Sequence, residues 1–244
     1  MMGLMPAWRG GREAVFALKA ICVMPGNPAQ GLDAHQGIVI LFDGDTGVPA
    51  AILNASAITA VRTAAVSAVA TRLLARADAQ VLAILGAGVQ ARAHLDALLG
   101  VRASQSVRVC SPTEAHARAV ASRGGAPARS AGPVEVSGPV EVAVSSTAED
   151  AVRGAEVIAT ATNSREPVLR REWRSPGAHV NAVGASTSAA RELDLETVVA
   201  SALFCDSRES LRNEAGEYQL ALSEPETARS GSKSSRTCEI RTRS

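Results

Sequence analysis

A chain of 244 residues, 46% of them hydrophobic, is long enough to bury a sizeable core in one or two domains. Only 2% are aromatic, so that core must be built from Ala, Val, Leu and Ile, which suits layered α/β packing better than an aromatic-rich sandwich. The net charge of +1, from 25 basic and 24 acidic residues, sets up no large field and argues against nucleic-acid or anionic-membrane partners.

At the start of the chain, Arg9 and Arg12 are followed by no apolar stretch of signal-peptide form. No run reaches the roughly 18 apolar residues needed to span a bilayer. The four cysteines, Cys22, Cys110, Cys205 and Cys238, are far apart and form no C-x-x-C pair. They signal neither a metal site nor a disulfide framework, and a reducing cytoplasm is the expected compartment.

Lys19 sits in the apolar segment 15–23, which makes a solvated surface role less natural, though that role stays open as the alternative. Residues 37–53 read as two apolar strands joined by the turn Asp43-Gly44-Asp45-Thr46-Gly47, a hairpin. Residues 56–75 contain no Gly or Pro, are rich in Ala and Leu at helical spacing, and open on Ser56 as a plausible cap, so a long helix follows. Arg62 lies within it among Ala, Thr and Val, with no acidic residue at i+3 or i+4 to pair with.

After Asp78 the pattern alternates. Strands are expected at 81–85, 106–110, 141–144, 157–162, 178–183 and 202–205, with helices at 90–99, 113–122 and 148–154. Such alternation implies right-handed βαβ units and a parallel sheet. Gly132-Pro133-Val134-Glu135-Val136 recurs as Gly138-Pro139-Val140-Glu141-Val142, a duplication that would lengthen a loop. Residues 224–244 hold almost no apolar side chain and are expected to be disordered.

The sequence Gly86-Ala87-Gly88-Val89-Gln90-Ala91 has the form G-x-G-x-x-A between a strand and an amphipathic helix. Gly86 would permit the tight turn, Gly88 would let the backbone approach a pyrophosphate, and Ala91 would let helix and strand pack closely. Val89 and Gln90 would present the helix N-terminus to the phosphates. The alternative is a strand-to-helix turn that binds nothing. At the end of the next strand no carboxylate is present to hold an NAD ribose. Ser111 and Thr113, with Arg108 or Arg118 nearby, would better suit a 2′-phosphate, so NADPH is the first choice and NADH the second. A helix start capped by Ser111 is equally compatible.

Taken together, Ala17-Leu18-Lys19, the loop 31–37, Ile58-Thr59-Ala60-Val61-Arg62-Thr63-Ala64-Ala65, the glycine motif and residues 177–186 resemble the ornithine cyclodeaminase and mu-crystallin family, over roughly residues 3–222. The resemblance implies an α/β fold: a Rossmann-type doubly wound parallel sheet plus a second α/β domain for dimerisation and substrate binding, here incomplete because the chain would be truncated at both ends. It implies domains at 1–77 (partial dimerisation and substrate domain with a linking helix), 78–206 (dinucleotide binding) and 207–223 (return segment), before the tail. The hairpin would then have unpaired edges.

Transferred by matching motif, Arg62 and Lys19 would hold a substrate carboxylate, Arg62 by a bidentate fork and Lys19 by point charge or proton donation. His35, Thr160, Ala161 and Val183 would lie along the cofactor. Ser186 would stand where cyclodeaminases carry an aspartate thought to assist amine attack; mu-crystallin-like ketimine reductases also have serine there, and serine is no carboxylate base at neutral pH. The implied activity is NAD(P)H-dependent reduction of a cyclic ketimine, pyrroline-2-carboxylate or piperideine-2-carboxylate, by a homodimer. The alternatives are an ornithine cyclodeaminase, an amino-acid dehydrogenase, or a non-catalytic nucleotide- or ligand-binding protein.

Overall fold

The computed structural model describes residues 2–122 and 140–223. The chain divides into two compact units, residues 1–65 and 66–244.

The first unit is a four-stranded antiparallel sheet in the order β1 (Met2–Arg9), β2 (Val15–Val23), β3 (His35–Asp43) and β4 (Pro49–Asn54). The hairpin of residues 37–53 is β3 and β4. Its turn is held by the Asp43 carboxylate, which accepts from the Thr46 amide at 2.8 Å and the Thr46 hydroxyl at 2.7 Å, while Gly47 takes φ +71°. The expectation of two unpaired hairpin edges is corrected on one side: β2 pairs along all of β3, from Val15 opposite Asp43 to Val23 opposite His35. Lys19 and Ile21 share a face of β2 by the two-residue strand period, opposite Val39 and Gly37; Ile21 and Val39 are buried. Lys19 therefore stands on the inner face of the sheet.

Helix α1 (Ala55–Leu74) follows directly. Asn54, not Ser56, caps it: Asn54 Oδ1 accepts from the Ala57 amide at 3.0 Å, while Ser56 lies inside the first turn and donates to Asp33 at 2.8 Å. By length and composition alone α1 is long and apolar enough to cross a membrane, although Arg62 and Arg72 interrupt its apolar residues. Its buried face is a stripe of small residues, Ala60, Ala64, Ser67, Ala68 and Thr71, at helical spacing.

The second unit contains a five-stranded parallel sheet in the order β7-β6-β5-β8-β9, where β5 is Val81–Leu85, β6 Ser106–Cys110, β7 Glu141–Val144, β8 Val157–Thr160 and β9 His179–Ala182. Numbered along the chain from β5, this is the 3-2-1-4-5 order of a doubly wound sheet. Residues alternate between two cores. Leu82 and Ile84 pack with Leu95, Leu98, Val107, Val109 and Val120; Ala83 and Leu85 pack on the other face with Val152, Ile158, Leu169 and Val198. Helices α2 (Val89–Leu99) and α3 (Glu114–Ala121) belong to the first core, and α4 (Ala148–Val152) and α5 (Leu195–Val199) to the second.

Buried polar side chains hold the part of α1 that belongs to this unit. The fully buried His94 donates from Nδ1 to the Gln90 carbonyl at 2.7 Å and accepts at Nε2 from Ser67 at 2.9 Å, and Asn181 on β9 donates to Thr71 at 3.0 Å. The strand expected at 202–205 does not form. Leu203 packs against the second core while Phe204 stays exposed, so side-chain burial is satisfied without any ladder. Residues 207–223 form α6 (Arg208–Glu214) and α7 (Gly216–Ser223). The first copy of the duplicated pentapeptide and the polar tail lie outside the described residues.

Candidate active site

Two sets of residues carry chemistry, one in each unit. In the first unit β2 supplies Lys19, the end of the 31–37 loop supplies Asp33 and His35, and α1 supplies Ser56 and Arg62. The Asp33 carboxylate takes the Ser56 hydroxyl, and its carbonyl accepts from Asn27 Nδ2 at 3.0 Å and Gln36 Nε2 at 3.1 Å, so the loop is anchored from both sides. Among the described residues, Lys19 and Arg62 make no hydrogen bond or ion pair. Burial lowers the Lys19 pKa below its ordinary value, and the Arg62 charge lowers it further. His35 is also lowered, by burial first and then by Lys19, with Asp33 opposing. The loop, the strand and the helix thus concentrate positive charge with one carboxylate already committed to Ser56.

In the second unit the glycine motif joins β5 to α2. Gly86 has φ +119°, and a Cβ there would lie 2.4 Å from the Ala161 carbonyl oxygen, so only glycine fits. A Cβ on Gly88 would meet nothing within 4 Å, and no side chain caps the helix that starts at Val89. Gly88 and Val89 are exposed, and Gln90 is half-buried. An open, uncapped helix N-terminus behind a backbone with room above it fits a dinucleotide pyrophosphate.

At the end of β6 the two arginines considered for a 2′-phosphate are both engaged. Arg108 donates to the carbonyls at the C-terminus of α4, with Arg153 O at 2.5 Å. This overturns it as a free phosphate ligand. Arg118 pairs with Glu114 one turn away, and both are well exposed. Thr113, not Ser111, occupies the cap position of α3, without a side-chain cap bond; Ser111 is half-buried. The alternative of a Ser111 cap is thereby corrected.

On the other side of β5, the strand ends are gathered by a residue for which spacing in the sequence gives no signal. Glu192 is fully buried. Its Oε1 accepts from the Thr162 amide at 2.6 Å and the Thr162 hydroxyl at 2.7 Å; its Oε2 accepts from the Thr160 hydroxyl at 2.8 Å and the Gly184 amide at 2.6 Å. Its own amide donates to Glu217 Oε1 on α7 at 2.8 Å. Thr160 is buried within this clamp, Ala161 and Val183 are half-buried beside it, and Ser186 is exposed in the loop that follows, where its amide donates to the Gly184 carbonyl at 2.9 Å. The structure therefore groups Lys19, His35 and Arg62 in one unit, and Gly86, Gly88, Thr160, Ala161, Val183 and Ser186 along one sheet edge in the other.

A parallel sheet of this order, with a glycine turn opening onto an uncapped helix at its switch point, defines a Rossmann-type α/β protein; the antiparallel sheet completes a two-domain architecture. The chain belongs to the ornithine cyclodeaminase/mu-crystallin family, which it matches over residues 1–234. It is 39% identical over 220 residues to the ketimine reductase mu-crystallin of Mus musculus, covering 90% of this chain and 66% of that protein. The structure of Thermococcus litoralis Δ(1)-pyrroline-2-carboxylate reductase in complex with NADH and L-proline is similar, with a TM-score of 0.78, 31% identity and coverage of 91% of this chain and 70% of that one. An archaeal alanine dehydrogenase dimer with bound NAD gives 0.75 and 29%, covering 91% and 68%. The chain thus spans about two thirds of the length of its relatives.

Proposed function

We propose that the protein is an NAD(P)H-dependent reductase of a cyclic ketimine, pyrroline-2-carboxylate or piperideine-2-carboxylate, yielding an L-amino acid such as proline or pipecolate. The observation that carries this reading is the pair of cations Lys19 and Arg62, which make no hydrogen bond or ion pair among the described residues and of which Arg62 lowers the Lys19 pKa. A substrate carboxylate would answer both charges, with Arg62 as a planar fork. Lys19, its pKa already lowered, would give a proton to the ring nitrogen. A bound reduced nicotinamide would supply the hydride to the α-carbon, so that the C=N double bond becomes a C–N single bond with one new C–H and one new N–H. The uncapped start of α2 would hold its pyrophosphate, and Ser186 would hydrogen-bond near the imine. With serine at this position, no carboxylate is available there to drive ring closure, which disfavours the ornithine cyclodeaminase reaction.

The names of the mouse ketimine reductase and the Thermococcus pyrroline-2-carboxylate reductase support the reaction class, and the bound NADH and NAD of the two solved relatives support the cofactor class. NADPH is the preferred cofactor in this reading, resting on Ser111, Thr113 and Arg118. A homodimer is supported by the alanine dehydrogenase dimer and by the exposed apolar side chains Leu4, Met5, Trp8 and Ile52 on the outer strands β1 and β4.

The test is oxidation of NADPH, with NADH in parallel, on purified protein supplied with each ketimine, together with its mass in solution. Turnover by a dimer that falls about 10- to 100-fold in kcat/KM in Arg62→Ala is the expected result, the scale of a lost charge-assisted bond. Proline and ammonia from ornithine would overturn the reductase in favour of a cyclodeaminase; nucleotide binding without any turnover would leave a binding protein.

A further inference from the structure

We propose that Glu192 is a positioning residue for the nicotinamide end of the cofactor, a role that rests on the dinucleotide reading above. A carboxylate with no exposure to water is costly to bury, by several kcal/mol unless its lone pairs are satisfied. Here all four acceptor positions are filled, at 2.6–2.8 Å, by donors from two strand ends. Such short bonds to a charged acceptor are the strong kind. The side chain thus ties Thr160, the last residue of β8, to Thr162 just beyond it and to Gly184 just beyond β9.

The placement of this clamp makes it more than core filling. In a doubly wound sheet a dinucleotide lies across the carboxyl ends of the strands at the switch point, here between β5 and β8. The β6 side carries Ser111 and Thr113, the ribose half. The β8 and β9 ends are left for the nicotinamide half, and those ends are what Glu192 joins. Backbone approach is close throughout: a Cβ on Gly184 would lie 2.1 Å from the Thr162 carbonyl oxygen and 2.6 Å from Glu192 Cδ, and one on Gly86 would strike Ala161. The phosphate turn, the 161–162 segment and the 183–186 loop are therefore one mechanically connected edge. Ser186 lies two residues past one of its anchor points.

The decisive variant is Glu192→Gln. An amide offers one acceptor oxygen and one NH2 group, and whichever way it is turned the NH2 faces a backbone N–H, that of Thr162 or that of Gly184, which cannot rotate away. Binding of NADH and of ADP-ribose, which lacks the nicotinamide, is measured by titration calorimetry. We expect NADH to weaken about tenfold while ADP-ribose stays within about twofold. Thr160→Val removes one donor and no backbone bond, and is expected to weaken NADH alone by a smaller factor; it decides the matter if Glu192→Gln does not fold. Equal weakening of both nucleotides, or no change in either, overturns the assignment while leaving the cofactor reading intact. Wild-type protein that binds neither nucleotide would overturn both.

Discussion

Arg108 donates to the carbonyl oxygen of Arg153 at 2.5 Å, so the cation nearest the end of β6 closes the C-terminus of α4. Among the described residues Arg118 is held only by an exposed pair with Glu114, a bond worth no more than about 1 kcal/mol and readily exchanged for a phosphate. Arg118→Ala should therefore weaken NADPH binding several-fold and leave NADH within about twofold. Arg108→Ala should lower the melting temperature and affect both cofactors alike. Cofactor titrations of the two variants separate these outcomes, and an Arg108→Ala defect confined to NADPH would contradict the assignment.

The two glycines of the motif differ in what they tolerate. Gly86→Ala adds a Cβ against the Ala161 carbonyl at a positive φ, and strain alone costs roughly 1–3 kcal/mol, so the variant should be poorly folded. Gly88 has ordinary backbone angles and open space, and Gly88→Ala should melt like wild type while losing nucleotide affinity about tenfold or more. Thermal melts beside nucleotide titrations read the contrast; a Gly88→Ala protein that binds nucleotide normally would remove this helix start from the site.

Lys19 loses its proton at lower pH than an ordinary lysine, through burial first and Arg62 second. If its charge and proton serve the reaction, kcat/KM declines on the alkaline side as Lys19 deprotonates. Arg62→Gln relieves the repulsion but not the burial, so the alkaline limb should move to higher pH even though the maximum falls. A pH–rate profile checks the direction, and an unmoved limb would mean that the limb does not report a Lys19 proton lowered by Arg62.

Glu217 has a raised pKa, chiefly because it is buried, and its Oε1 accepts the Glu192 amide. A folded-state pKa above the unfolded value contributes stability that is complete below about pH 4.5 and is lost as pH rises through the folded value. Glu217→Gln keeps an acceptor oxygen and removes the charge. It should raise the melting temperature by a few degrees at pH 7–8 and give no gain at pH 4. Melts across that range test the sign.

Much of this architecture was legible because its signals are local. β5 is a short apolar run, the glycine motif needs its backbone angles, and the Asp43 turn binds its own amides, so all three can be read over a few residues. Ser56 has the right chemistry for a cap two residues past Asn54, but a tertiary bond to Asp33 takes its hydroxyl instead. The strand β1 was silent, and its pairing with β2, from Met2 opposite Cys22 onward, is a long-range choice that no pattern within it dictates. Residues 202–205 show the converse, an apolar segment that finds a side-chain pocket rather than a strand partner. In the site, Arg62 stood out because it lacked a helical neighbour of opposite charge. Glu192 did not, since its donors come from residues 160, 162 and 184 and its importance exists only after β8 and β9 are side by side.

The position of β5 in the middle of its sheet also governs how the second unit assembles. Its two neighbours are unequally remote: Val81 pairs with Ser106, whereas Leu82 on the other side pairs with Val157, about three times farther along the chain. Closing the longer loop costs on the order of 1 kcal/mol more in chain entropy. The β5–β6 pair with α2 is then the natural nucleus, and β8 docks onto it later. Volume-reducing changes at Val107 or Leu95 should slow refolding, whereas the same change at Ile158 should chiefly hasten unfolding.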